Sequence, residues 1–145
     1  MTKSENNAYS TNFKELTELK SFVGKELGIT DWMQMSQQKI DDFAKITDDK
    51  QWIHTDPEKS ALYSPYKKTI AHGFLVLSMV SRISFNAFSI ENVVAGINYG
   101  LDRVRFPNAT KSDSTYRGRV SLIEFLEIPG GAKYKLKIEI EIKGE

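Results

Sequence analysis

The stretch Gly73-Phe74-Leu75-Val76-Leu77-Ser78-Met79-Val80-Ser81-Arg82-Ile83-Ser84-Phe85-Asn86-Ala87-Phe88 decides the fold. Read at a helical period, its apolar residues fall on nearly every side. A helix of that kind is buried and does not lie on a surface. Ser78, Ser81 and Ser84 recur every three residues and share one face, where a neighbouring backbone can approach closely. With three serines, an arginine and an asparagine, the stretch is too short and too polar to cross a bilayer. A spanning helix takes about 20 mostly apolar residues.

Beyond Phe88 the period drops to two. Residues 92–106 (NVVAGINYGLDRVRF) predict a long strand ended by Pro107. Residues 115–128 predict a second, closed by the turn signal Pro129-Gly130-Gly131. In residues 134–143, Tyr134, Leu136, Ile138, Ile140 and Ile142 alternate with Lys135, Lys137, Glu139, Glu141 and Lys143. That is an antiparallel strand with one face on a core and one in water. Lys143-Gly144-Glu145 reads as the start of a hairpin turn. The expectation is that a further strand once followed, or that a neighbouring subunit supplies the pairing; otherwise a flat edge stays exposed.

Upstream, Phe13, Leu16, Leu19, Phe22 and Val23 follow helical spacing, and Gly24 or Gly28 stops the run. Residues 29–35 predict a short strand. Ser36 caps a helix that reaches about Asp48, with Ile40, Phe43 and Ala44 facing inward. Asp56 caps a short helix from Pro57 to Leu62. One buried helix against an antiparallel sheet is an α+β layer architecture.

The chain has 145 residues, which sets the expectation of a single domain over 1–145. Residues 1–10 are polar and expected to fray. There is no cysteine, which excludes a disulfide framework and a thiolate nucleophile. His54 and His72 are the only histidines, too few for a three-histidine metal site, and no metal is expected. A net charge of +1 gives no electrostatic case for a nucleic-acid partner. Without an apolar leader or span, the expectation is a cytoplasmic protein with no membrane partner.

The segment Thr47-Asp48-Asp49-Lys50-Gln51-Trp52-Ile53-His54-Thr55-Asp56-Pro57 is dense in reactive side chains. Asp49 and His54 stand five apart across a helix end and a loop, which can fold carboxylate and imidazole towards one point. Such a pair suits general acid–base work near neutral pH. On the residues alone, Asp49 can equally end the helix and His54 be an ordinary loop histidine. Further on, Ile70-Ala71-His72-Gly73 enters the buried helix. A glycine there leaves N–H groups free at the positive end of the dipole, able to hold an oxygen gaining charge. A glycine near an N-cap is also a common feature with no such role.

Together, FAKITDDKQWIHTDPEKSA (residues 43–61) and TIAHGFLVLS (residues 69–78) resemble the hydratase motif of the MaoC-like dehydratase family. Gln51-Trp52-Ile53-His54 and the run Ile97–Pro107 (INYGLDRVRFP) resemble its nodulation-protein-N-like branch. The resemblance covers about residues 20–143. It implies the hot-dog fold, a long central helix wrapped by an antiparallel sheet. It implies hydration of trans-2-enoyl-CoA to (R)-3-hydroxyacyl-CoA, or the reverse. The family's catalytic aspartate falls on Asp49, its histidine on His54 and its oxyanion donor on the Gly73 N–H. Gln51 keeps the amide of the usual asparagine, Ser81 matches a supporting helix serine, and His72 falls to a structural role. Asp48 departs from the family's glycine before the catalytic aspartate, and it is expected to point to solvent. No cofactor is implied beyond the carrier on the substrate, coenzyme A or an acyl carrier protein. Arg103 and Arg105 are candidates for the coenzyme A phosphates. A homodimer is implied, with Trp52 and Tyr99 as candidates to line its interface. The alternatives are a non-catalytic acyl-thioester-binding protein of the same fold and a hot-dog thioesterase. The latter generally needs a carboxylate near the central helix, and residues 73–88 hold none.

Overall fold

In the computed structural model of the protein, which describes residues 7–145, the elements follow in this order. Strand β1 (Thr11–Phe13) leads into a 3-10 helix (Leu16–Phe22), then β2 (Glu26–Ile29) and β3 (Met33–Met35). Four helices come next: α1 (Gln37–Thr47), α2 (Trp52–Thr55), α3 (Pro57–Tyr63) and α4 (Gly73–Ser78). Helix α5 (Val80–Ala87) and strands β4 (Phe88–Ile90), β5 (Ser114–Ile128) and β6 (Gly131–Ile142) complete the chain. The residues gather into two compact units. The first draws on the chain up to Asp31, Val80–Leu101 and Arg117–Glu141. The second draws on Trp32–Met79, Asp102–Tyr116 and Ile142–Glu145.

In the first unit β2 pairs antiparallel with β5, Gly28 opposite Val120 and Ile29 opposite Arg119, and β6 also pairs with β5. β1 pairs parallel with β4. Leu19, Leu27, Ile83, Ala87, Val120 and Leu122 are buried there, which follows from apolar residues of α5 and β5 meeting the start of the chain. Arg117 is buried as well, and its guanidinium holds Glu141 through Nε and Nη2, both at 2.8 Å. Tyr9 exchanges both backbone hydrogen bonds with Ile29, at 3.0 and 2.9 Å. The chain is therefore held from there on, while the fraying expected of residues 1–6 lies outside the described residues.

In the second unit the Ser36 hydroxyl accepts the Lys39 N–H at 3.2 Å and opens α1, whose Ile40 and Ala44 are buried. Asp56 ends α2, and its carboxylate accepts the Lys59 N–H at 2.9 Å to cap α3. β3 pairs antiparallel with the first residues of β5, Met33 opposite Tyr116 and Met35 opposite Ser114.

Asp48 ends α1 in the left-handed conformation, φ 60° and ψ 13°. This is the backbone state in which glycine carries no Cβ penalty, so the family's glycine has a conformational reason at this position. The Asp48 side chain points to solvent, with only Lys50 Nζ at 3.7 Å. Asp48→Gly is therefore expected to stabilise the protein by about 0.5–1 kcal/mol. An unchanged or lower Tm would contradict that account.

Five sequence expectations need correction. The helix expected from Gly73 to Phe88 comes as α4 and α5 with a break at Met79, and Phe88 begins a strand. Its burial is one-sided: Phe74 is 70% and Phe85 79% exposed. Residue types around a helix report what needs covering, not whether one chain supplies the cover. The strand expected over 92–106 is absent. This segment has no regular structure, and Ile97 and Tyr99 are 88% and 83% exposed. A period of two records which side chains share a face, while a strand also needs a neighbouring edge to pair with. The strand expected over 29–35 is split into β2 and β3, and the first helix is a 3-10 turn preceded by β1. The apolar face of β6 is half-buried, not sealed in a core, with Tyr134 exposed.

Candidate active site

The left-handed turn at Asp48 reverses the chain after α1 and delivers Asp49 and Gln51. The Asp49 N–H donates to Thr47 Oγ1 at 3.3 Å, and the Gln51 amide donates to Asp49 Oδ1 at 3.1 Å. That hydrogen bond, aided by the nearby imidazoles, holds the Asp49 carboxyl below its ordinary 3.8. His54 follows on α2, whose first turn is closed by its own N–H bonding to the Gln51 carbonyl at 3.0 Å.

Two clamps fix the His54 backbone and ring. The Gln37 amide of α1 donates to the His54 carbonyl at 2.8 Å, and Gln37 in turn accepts from Thr69, which also reaches Ser112. On the other side, the Ile70 N–H donates to the Ile53 carbonyl at 3.0 Å, and His54 Nδ1 meets the Ile70 carbonyl at 2.7 Å. A carbonyl only accepts, so Nδ1 carries the proton and Nε2 of the neutral ring is left bare. Burial pushes His54 below its ordinary 6.5, and this outweighs the Ile70 hydrogen bond that favours the charged ring.

His72 completes the cluster. It is 3% exposed and His54 is 6% exposed. The two rings stack with centroids 3.8 Å apart and planes 24° from parallel. His72 Nε2 lies 2.9 Å from the Asp49 carbonyl, and Phe43 lies 5.0 Å from its ring. One ligating atom from each of Asp49, His54 and His72 falls within 4.8 Å of the others. Two imidazoles and a carboxylate are a donor set that suits transition metals. The near-parallel stack, however, keeps the two ring planes apart, so a single ion cannot lie in both without a ring turning.

Gly73 follows His72 as the first residue of α4, and the helix's opening N–H groups have no intrahelical acceptor. A Cβ added at Gly73 would stand 2.8 Å from the Phe106 ring, so glycine permits that close approach. The sequence-derived set thus divides. Asp49, Gln51, His54 and Gly73 all belong to the second unit. Ser81 is exposed on α5 in the first unit. Arg103 and Arg105 are exposed in the irregular segment, not alternating on a strand as expected. Trp52 is half-buried with Lys59 Nζ 5.0 Å from its ring centroid, and Tyr99 carries Lys133 Nζ at 3.9 Å. Sequence reading gave no role to Gln37, Thr69 or Ser112, whose polar side chains are ordinary until folding brings them together behind His54.

The MaoC-like domain family matches residues 18–135. A nodulation protein N of Rhizobium leguminosarum bv. viciae is 43% identical over 131 residues, covering 87% of this chain and 81% of its own. The 3-hydroxyacyl-thioester dehydratase Z of Mycobacterium tuberculosis is 34% identical over 133 residues, covering 91% and 87%. A crystal structure described as a monoamine oxidase regulatory protein from Archaeoglobus fulgius superposes with a TM-score of 0.71. It is 23% identical and covers 91% of this chain and 86% of that one. The architecture is therefore α+β, the hot-dog fold, with a central helix and an antiparallel sheet. This chain belongs to the MaoC-like family.

Proposed function

We propose that the protein is a hydro-lyase interconverting a trans-2-enoyl thioester and its (R)-3-hydroxyacyl thioester. The observation that carries this reading is the meeting of Asp49 with His54, one ligating atom from each within 4.8 Å, where His54 is itself a buried imidazole whose Nε2 is bare. The dehydratase relative, 34% identical along most of the chain, supports an acyl-thioester substrate.

In the proposed reaction a water is held between Asp49 and His54. One of them takes its proton as the water oxygen bonds to the β-carbon. A proton is returned to the α-carbon, so the elements of water are added with no net redox change. Negative charge gathers on the thioester oxygen as the β-carbon bond forms, and the Gly73 N–H is the proposed donor to it. Gln51 holds the Asp49 carboxylate in place. Ser81 is assigned a supporting role, and Arg103 and Arg105 are assigned to the phosphates of a coenzyme A carrier. No resident cofactor or metal is required by this chemistry.

The proposal includes a cytoplasmic homodimer. The exposed apolar side chains of Ile97, Tyr99 and Leu101 support pairing through this segment, since such residues in one run mark an interaction surface. No described helix is long and apolar enough to cross a membrane. The deciding experiment incubates the purified protein with crotonyl-CoA and follows enoyl absorbance. Its loss, with formation of the (R)-3-hydroxy product, is expected. Absence of turnover across C4 to C16 enoyl-CoA and the corresponding acyl-carrier-protein thioesters would overturn the reading. A sedimentation mass of one chain would remove the dimer from it.

A further inference from the structure

The two catalytic groups proposed above touch a third side chain that the reaction scheme leaves idle. His72 is buried, and it reaches both of them at once. Its Nε2 lies 2.9 Å from the carbonyl of Asp49, and its ring face lies 3.8 Å from that of His54. Because the carbonyl can only accept, Nε2 bears the proton and Nδ1 is bare. Nδ1 is buried with no partner among the described residues. The opposite tautomer would place an orphaned N–H donor at Nδ1 and set two acceptors against each other at Nε2, so the protein strongly favours the first.

We propose that His72 is the positioning residue of this site: its Nε2–H anchors the Asp49 backbone while its ring face anchors the His54 imidazole, so one buried side chain sets the separation of carboxylate and base. This inference rests on the acid–base reading of Asp49 and His54. The surrounding structure makes the arrangement rigid. Phe43 lies against one part of the His72 ring, and the His72 backbone is committed as the N-cap of α4, where its carbonyl accepts from Leu75 and Val76. His54 is clamped by Ile70 two residues before His72. A rotation of His72 therefore displaces Asp49 and His54 together, and a misplacement of about 1 Å at a reacting group can cost about 10²-fold in rate.

Burial, the largest cause, holds His54 in the neutral, base-competent form.

The test compares His72→Gln, which keeps a donor at the Nε2 position but no ring, with His72→Phe, which keeps a ring but no donor. Folding is checked by thermal unfolding, and His72→Leu serves as the donorless variant if the phenylalanine does not fold. The expected result is a kcat about 10–100-fold below wild type in His72→Phe with KM changed less than threefold. His72→Gln is expected to recover at least a tenfold part of that loss. Equal kcat in the two variants, or a better His72→Phe, would overturn the proposal, because a residue that only fills space does not distinguish a donor from a ring. A readout independent of turnover uses the wild-type protein: histidine 15N NMR is expected to show His72 protonated at Nε2 and His54 at Nδ1. A bare Nε2 on His72 would overturn the positioning role whatever the variants do. If the wild type hydrates no enoyl thioester, the hydro-lyase reading fails alone, and the NMR measurement still decides the geometry.

Discussion

His54→Gln and Asp49→Asn are each expected to lower kcat for enoyl-thioester hydration by about 10²–10⁴-fold, with the folded state intact. The magnitude follows from what each side chain does for one water. His54 offers the bare Nε2 of a buried ring whose Nδ1–H is occupied by the Ile70 carbonyl. Asp49 offers a carboxylate steadied by the Gln51 amide. Because both act on the same proton transfer, the double variant is expected to lose no more than the worse single variant, as groups acting as a unit are non-additive. Stability changes little for Asp49→Asn, since the carboxylate is only partly buried and asparagine keeps an oxygen for the Gln51 amide. Turnover within threefold of wild type in either variant would remove that residue from the chemistry.

The pH dependence has a fixed sign. A base must be neutral, and burial holds the His54 pKa below its ordinary 6.5. The acid limb of kcat/KM therefore falls below pH 6.5. The same shift is a stability statement. With the folded pKa below the unfolded value, His54 contributes stability that is fully present above about pH 6.5 and is lost as pH falls through the folded pKa. Asp49, also lowered, remains ionised throughout this window. An acid limb above pH 7 in the free enzyme would show that His54 is not the base.

How much of this was legible before folding differs by element. Caps were legible, because Ser36 and Asp56 act on amides only three residues away. The long hairpin of β5 and β6 was legible for a similar reason: the turn at Gly130, with φ +80°, lies between two runs of strand-forming residues. Residues 92–106 were not, because pairing depends on an edge that no local pattern records. At the site, Asp49 and His54 were readable as a pair from their spacing and from the family resemblance. His72 was readable only as a neighbour of Gly73. Its contact with Asp49 spans 23 residues of sequence, a separation at which side-chain chemistry carries no signal.

Gly28→Ala is expected to be the most damaging single-methyl change in the first unit, costing about 3 kcal/mol, near the upper end for overpacking. In sequence Gly28 read as a helix stop. In the structure it stands in β2 where the register slips between Glu26 and Gly28, the place where a glycine marks a bulge or a close backbone approach. An added Cβ would lie 2.1 Å from the Ala87 carbonyl oxygen and 2.7 Å from that of Tyr9. Both obstacles are backbone, and neither can step aside by changing rotamer. Tyr9 is pinned by its two hydrogen bonds to Ile29, and Ala87 is the buried last residue of α5, directly before β4. Relief therefore requires β2 to move away from α5 or from the Tyr9 backbone, opening the core around Leu27 and Ile83. For a chain of this size the corresponding fall in Tm is roughly 10 °C. Gly131→Ala is the matched control, since nothing lies within 4 Å of its added Cβ, and it is expected to change stability by less than about 0.5 kcal/mol. Equal Tm values for the two variants would mean that the Ala87 carbonyl does not rest against β2, and the packing of α5 on that strand would have to be redrawn.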